Sequence, residues 1–130
     1  MKRPLSILIL LPLLMLIVSG FTTYPWTGAK DARLGRVADL GGVIAQPVKM
    51  VEDSRCPTDV DCISPGRVRV RITYLNPKWP EDTEMELVVG ELRQVKDGVI
   101  GIEAVRPARQ LNKRIEMDEY RFDFRFDPDR

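Results

Sequence analysis

From Arg67 to Tyr74 the chain alternates without a break: Arg67-Val68-Arg69-Val70-Arg71-Ile72-Thr73-Tyr74. Successive side chains of an extended strand point to opposite faces. Val68, Val70, Ile72 and Tyr74 therefore share one face, and Arg67, Arg69 and Arg71 the other. A helix would scatter the same residues around its circumference, so this segment is predicted as a strand. The same period recurs in Thr83–Val89, with Met85, Leu87 and Val89 inward. It recurs again in Tyr120–Phe126, where Tyr120, Phe122, Phe124 and Phe126 fall on one face and make this strand the heaviest contributor to a core.

The connections fit an antiparallel fold. Asn76 to Asp82 is turn-rich and suits a hairpin loop. Asp97-Gly98 predicts a second hairpin through a type I′ turn, joining Gln94-Val95-Lys96 to Val99–Val105. Leu92 and Val95 have opposite parity, so a short strand or a bulge is expected before that turn. Val43 to Glu52 reads as a strand in which Pro47 forces a bulge or an edge position, and Leu34 to Ala38 as a short first strand before Gly41-Gly42. The expectation is an all-β domain of six or seven strands, a small antiparallel β-sandwich, with an immunoglobulin-like layout as one candidate arrangement.

The N-terminus sets the expected compartment. Lys2 and Arg3 precede an apolar run from Leu5 to Val18, broken only by Ser6 and Pro12. That run falls short of the roughly 20 residues a membrane-spanning helix prefers and fits a signal peptide. Val18-Ser19-Gly20 places cleavage after Gly20, with a second acceptable site after Ala29; an uncleaved N-terminal anchor is the alternative. The division is then a signal peptide at 1–20, a flexible lead-in at 21–33 and a single β domain at 34–130. Within the lead-in, Tyr24 and Trp26 are lone aromatics, and Trp26 could instead dock onto the domain. The formal net charge is +1, and becomes −1 without Lys2 and Arg3. Such a balance provides no broad field for nucleic acid, and membrane contact is expected only through an uncleaved signal segment.

Cys56 and Cys62 are the only cysteines. In an exported chain two nearby thiols are expected to pair. A catalytic disulfide usually occupies Cys-x-x-Cys at a helix start; here Asp59 and Asp61 lie between the two and would raise a thiol pKa. The expected bond is structural.

Other constellations have ordinary readings. The arginine stripe could grip an anion, yet the neighbouring strand supplies Glu84 and Glu86. One register sets Arg71 against Glu84 and Arg69 against Glu86; the other sets Arg71 against Glu86. The acidic group Glu52, Asp53, Asp59 and Asp61 lacks the spacing of a calcium loop. Arg55 stands among them as a counter-ion, and Asp53 reads as its partner or as a loop cap, so no metal is expected. Histidine is absent, which removes the commonest general base and zinc ligand. No Gly-rich phosphate loop or cofactor motif is present. An enzyme is not the favoured reading, and no cofactor is expected.

Glu52-Asp53-Ser54-Arg55-Cys56-Pro57, then Cys62 and Gly66, then an alternating strand, resembles a group of small exported bacterial proteins of unassigned function. The resemblance runs from Leu34 through Leu40-Gly41-Gly42 to Tyr120–Phe126. In that group a Trp-Ala-Gly-like step typically follows the second cysteine; here Ile63-Ser64-Pro65-Gly66 stands in its place. The resemblance implies compartment and disulfide, and no activity.

The expected function is a binding or interaction module of the bacterial periplasm or envelope, whose partner is an envelope protein or a small ligand. Its expected contact surface is the stapled loop from Asp53 to Gly66, with Asp53, Arg55, Asp59, Val60 and Asp61 as candidate binding residues. Trp79 is a candidate aromatic anchor or a lid over one end of the core. A sharper version is a protease inhibitor centred on Asp59 and Val60. The rivals are a carboxylate enzyme acting on cell-wall glycans through Glu52 and Asp53, and a passive envelope or stress protein.

Overall fold

The computed structural model describes residues 27–79 and 81–129. The signal-peptide reading of 1–20 and the lead-in residues 21–26, with Tyr24 and Trp26, lie outside the described residues. Eight strands follow in chain order: β1 (Thr27–Ala32), β2 (Ala38–Asp39), β3 (Ile44–Asp53), β4 (Val68–Leu75), β5 (Thr83–Val88), β6 (Leu92–Val95), β7 (Gly98–Arg106) and β8 (Arg121–Pro128). A 3-10 turn covers Met117–Glu119.

The strands form two four-stranded antiparallel sheets, β1-β8-β7-β6 and β2-β3-β4-β5. The sandwich expectation holds, with corrections of detail. Among the described residues the count is eight rather than six or seven, because β1 lies within the stretch read as lead-in. Its Thr-Gly-Ala-Lys-Asp-Ala sequence has no apolar alternation; β8 supplies the pairing and the packing. Gly28 is required there, since a Cβ would stand 2.4 Å from the Phe124 carbonyl oxygen. Between Leu34 and Ala38 no full strand forms: a turn closed by the Arg36 amide on the Arg33 carbonyl precedes the two-residue β2.

An immunoglobulin-like layout is also corrected. That fold crosses between sheets through Greek-key connections, whereas here β2 to β5 and β6 to β8 are simple meanders. The strands succeed one another around the molecule in chain order, and hydrogen bonding lapses between β1 and β2 and between β5 and β6.

One core fills the space between the sheets. Val68, Val70, Ile72 and Tyr74 of β4 are buried, as are Tyr120 and Phe122, Phe124 and Phe126 of β8, with Leu40, Leu87, Ile100 and Ile102 completing it. Burying each large side chain stabilises by roughly 1.5–3 kcal/mol. Pro47 is buried in β3 beside a register shift. Its carbonyl accepts from the Gly35 amide at 2.7 Å, so its missing N–H faces the edge that β4 does not use, as a strand proline requires.

The β6–β7 hairpin forms, but not through the expected turn. Val95 pairs with Gly98, so Lys96 and Asp97 are the loop residues, and neither has a positive φ. Gly98 instead opens β7, where a Cβ would meet the Asp127 carbonyl oxygen at 2.1 Å.

Candidate functional site

The 54–67 segment leaves β3, makes the disulfide ring and returns into β4. Its base is an ion pair. Arg55 donates from Nε to Asp53 Oδ1 at 2.8 Å and from its terminal nitrogen to Oδ2 at 2.7 Å. The Tyr120 hydroxyl donates to the same Oδ2 at 2.9 Å, and the Arg55 amide to Oδ1 at 3.4 Å, so Asp53 is both the partner of Arg55 and a loop cap. Burial alone would raise the Asp53 carboxyl, but the Arg55 and Tyr120 hydrogen bonds outweigh it and hold the pKa below the ordinary value. Burial and Asp53 together push Tyr120 up to about 12.

Arg55 also ties the loop to the opposite sheet, donating to the Pro107 carbonyl at 2.9 Å. Arg109 answers from the other side, donating to the Arg55 carbonyl at 3.0 Å. The Thr58 amide donates to the Arg109 carbonyl at 2.9 Å, and the Leu111 amide to Asp59 Oδ1 at 2.9 Å. The disulfide loop is thereby stitched to the 107–111 connection on both edges.

Cys56 and Cys62 are bonded, with Cα atoms 5.9 Å apart. Beyond Cys62 the chain rises over a short arch. The Cys56 amide donates to the Pro65 carbonyl at 3.1 Å, so both feet of the arch rest on one residue, by a covalent bond at Cys62 and a hydrogen bond at Pro65. Gly66 follows at φ +67, where a Cβ would lie 1.8 Å from the Ser54 carbonyl oxygen; only glycine closes the arch. At the crest Ile63 is fully exposed. Leu111 and Met117, on neighbouring connections of this end, are exposed as well.

The other candidate residues divide. Asp53 and Arg55 are neutralised in the base. Asp59 is engaged by Leu111, and Val60 is half-buried. Asp61 is exposed on the ring. Trp79 is not part of this surface: it follows β4, whose eight residues span roughly 25 Å, and lies at the opposite end. There its indole Nε1 donates to Asp97 at 2.9 Å, and Lys96 Nζ stands 3.5 Å above the ring centroid. Asn76 donates to the same carboxylate at 2.7 Å. The indole hydrogen bond, with that of Asn76, holds Asp97 below the usual carboxylate range against the opposing effect of burial. A cleft of about 330 Å³ opens beside this hub, lined in part by Gly41, Asn76, Lys78 and Asp129.

The arginine stripe is internally paired. Arg71 faces Glu86, and the ladder runs Arg67–Glu52 at 3.0 Å, Glu52–Arg69 at 2.9 Å, Arg69–Glu86 at 3.4 Å and Glu86–Arg71 at 3.3 Å. The register is the second of the two expected, with Glu84 opposite Thr73, and Glu52 joins the face from β3. Burial opposes ionisation of Glu52, but hydrogen bonds from Arg67 and Ser54 prevail and lower its pKa.

Sequence reasoning missed Ile63, Arg109 and the hub at Asp97. Ile63 was open to detection as the lone large apolar residue in a polar, turn-forming stretch. Arg109 carries no local signal, because its contacts lie 54 and 56 residues away. Compared with protein-family models, with curated proteins and with solved structures, the chain has no significant match.

Proposed function

We propose that this chain is an exported interaction module that docks onto an envelope protein through the arch from Cys62 to Gly66, with Ile63 as its anchor. The observation that carries the reading is Ile63 itself: a fully exposed aliphatic side chain whose flanks are both fixed to Cys56. A lone exposed apolar residue is ordinary. One held on a stapled arch is different, because a rigid loop loses little conformational entropy on binding. The disulfide is compatible with an oxidising, exported location such as the periplasm, and the likeness to small exported bacterial proteins supports the same compartment.

The glycan-hydrolase alternative is less well supported. A general acid needs a raised pKa, and Glu52 and Asp53 are both lowered and held by arginines. The test is capture from envelope extract on the immobilised, oxidised chain, with Ile63→Asp and Cys56→Ser/Cys62→Ser forms in parallel. A partner retained by the oxidised wild type and lost in both variants supports the reading. A partner retained equally by all three refutes it.

A further inference from the structure

The sandwich has an open corner where β5 gives way to β6. Hydrogen bonding lapses between these strands, so each presents a bare edge to the other. The Val89 amide donates to the Val68 carbonyl at 3.0 Å. Main-chain direction alternates along an antiparallel strand, so Leu87 and Met85 also face β4, while the main-chain groups of Glu84 and Glu86 face the corner. On the other wall the Asp129 amide donates to the Asp97 carbonyl at 2.8 Å. Asp97 therefore faces β8, and Gly98 and Ile100 face β6, where they pair with Val95 and Arg93. The main-chain groups of Gln94 are left facing the corner. Among the described residues, no main-chain hydrogen bond reaches Glu84 or Gln94 on that side.

A groove of about 230 Å³ runs between the two edges, with Tyr74, Met85 and Val95 among its lining residues. One end is closed. Arg93 spans the gap with its side chain and donates to the Glu86 carbonyl at 2.8 Å. Unlike the arginines of the β4 stripe, Arg93 has no carboxylate partner among the described residues. The other end is a mouth with one charge of each sign, Glu84 and Lys96. Leu92 lies beyond the Arg93 bridge and outside the groove.

We propose that this groove takes the C-terminal end of a partner polypeptide. Roughly its last two or three residues lie extended between β5 and β6, with the carboxylate on Arg93 and an apolar terminal side chain on Met85 and Val95. Two features select this occupant. Bare strand edges are satisfied by another main chain, as in strand addition; an alkyl carboxylate would leave the same N–H and C=O groups unpaired. The closed end holds a fixed guanidinium without a counter-ion, which suits a chain terminus with its carboxylate rather than a strand that runs through. The groove is separate from the arch and does not rest on the docking reading above.

The test is fluorescence anisotropy of a labelled peptide, Ser-Gly-Thr-Val-Thr-Val, titrated with the oxidised chain. The peptide is used once with a free C-terminal carboxylate and once as the C-terminal amide. The free acid is expected to bind at least about tenfold more tightly than the amide, the contribution of one charge-assisted hydrogen bond. Arg93→Gln keeps a donor for the Glu86 carbonyl but loses the charge, and is expected to abolish that difference. Glu84→Pro removes an edge N–H that β4 does not use, and is expected to weaken the free acid at least about tenfold. Circular dichroism checks that both variants fold. Four results overturn the inference: no saturable binding of the free acid to folded wild type, equal affinity for acid and amide, a preference that survives Arg93→Gln, or binding unchanged by Glu84→Pro. The last would leave a plain carboxylate site. Ile63→Asp is expected to change nothing here, so failure of the groove and failure of the arch are read separately.

Discussion

Asp53 and Tyr120 stand 67 residues apart in the chain, and the Tyr120 hydroxyl donates to Asp53 Oδ2 at 2.9 Å. The bond joins the end of β3 to the entrance of β8 and so couples the two sheets beneath the disulfide loop. Tyr120→Phe is expected to cost about 1–2 kcal/mol, because it removes one partner of a largely buried carboxylate. Asp53→Ala should cost about 3 kcal/mol, since it leaves the half-buried Arg55 without its counter-ion. Urea unfolding of the two variants, and of the double variant, measures both and their coupling.

Acid should weaken this base. The folded-state pKa of Asp53 is depressed below 3.8, and that of Asp123, held chiefly by Arg106, is about 2. Their contribution is present above the unfolded value near 4 and is lost as pH falls through the folded values. Tyr120 behaves in the opposite sense: its folded pKa of about 12 lies above the ordinary 10, so stability is lost as pH rises between them. Denaturant midpoints should therefore fall between pH 4 and 2 and again between pH 10 and 12. Tyr120→Phe should shrink the alkaline limb and leave the part that comes from Tyr74, whose pKa burial and Asp97 also raise.

The sequence disclosed the parts that repeat with period two and concealed those fixed by distant partners. Val68 to Tyr74 and Tyr120 to Phe126 announce their buried faces, and the observed Arg71–Glu86 register was one of the two expected. β1 gave no such sign, because its strand character comes from β8. Asp97-Gly98 marked the right hairpin through the wrong turn: the Asp97 carboxylate is engaged by Tyr74, Asn76 and Trp79, and Gly98 serves the close approach of Asp127. At the arch, the staple was legible from two cysteines, but the second foot at Pro65 and the Arg109 clamp depend on folded geometry.

Reduction should be felt throughout the small domain. Cys56 and Cys62 are six positions apart, and closing so short a loop stabilises by roughly 2–2.5 kcal/mol in the chain-entropy model. The melting temperature should fall by roughly 8 °C on adding reductant. Equal melting with and without reductant would contradict this account of the staple.

Glycine positions separate close contact from backbone strain. Gly66→Ala places a Cβ against the Ser54 carbonyl at φ +67, and should cost at least about 2 kcal/mol. Gly35→Ala, at φ +74 with nothing within 4 Å, should cost only about 1 kcal/mol. Chemical denaturation of the two single variants gives the comparison.

The most direct test of the central claim is a photo-crosslinking residue placed at position 63 in cells that export the chain, with position 92 on β6 as the control. Leu92 is also a large exposed apolar residue, but it lies away from the arch. The account predicts a discrete covalent adduct from position 63 that disappears in the Cys56→Ser/Cys62→Ser background, and none from position 92. No adduct from position 63, or the same adduct from both, would contradict the arch as the docking surface.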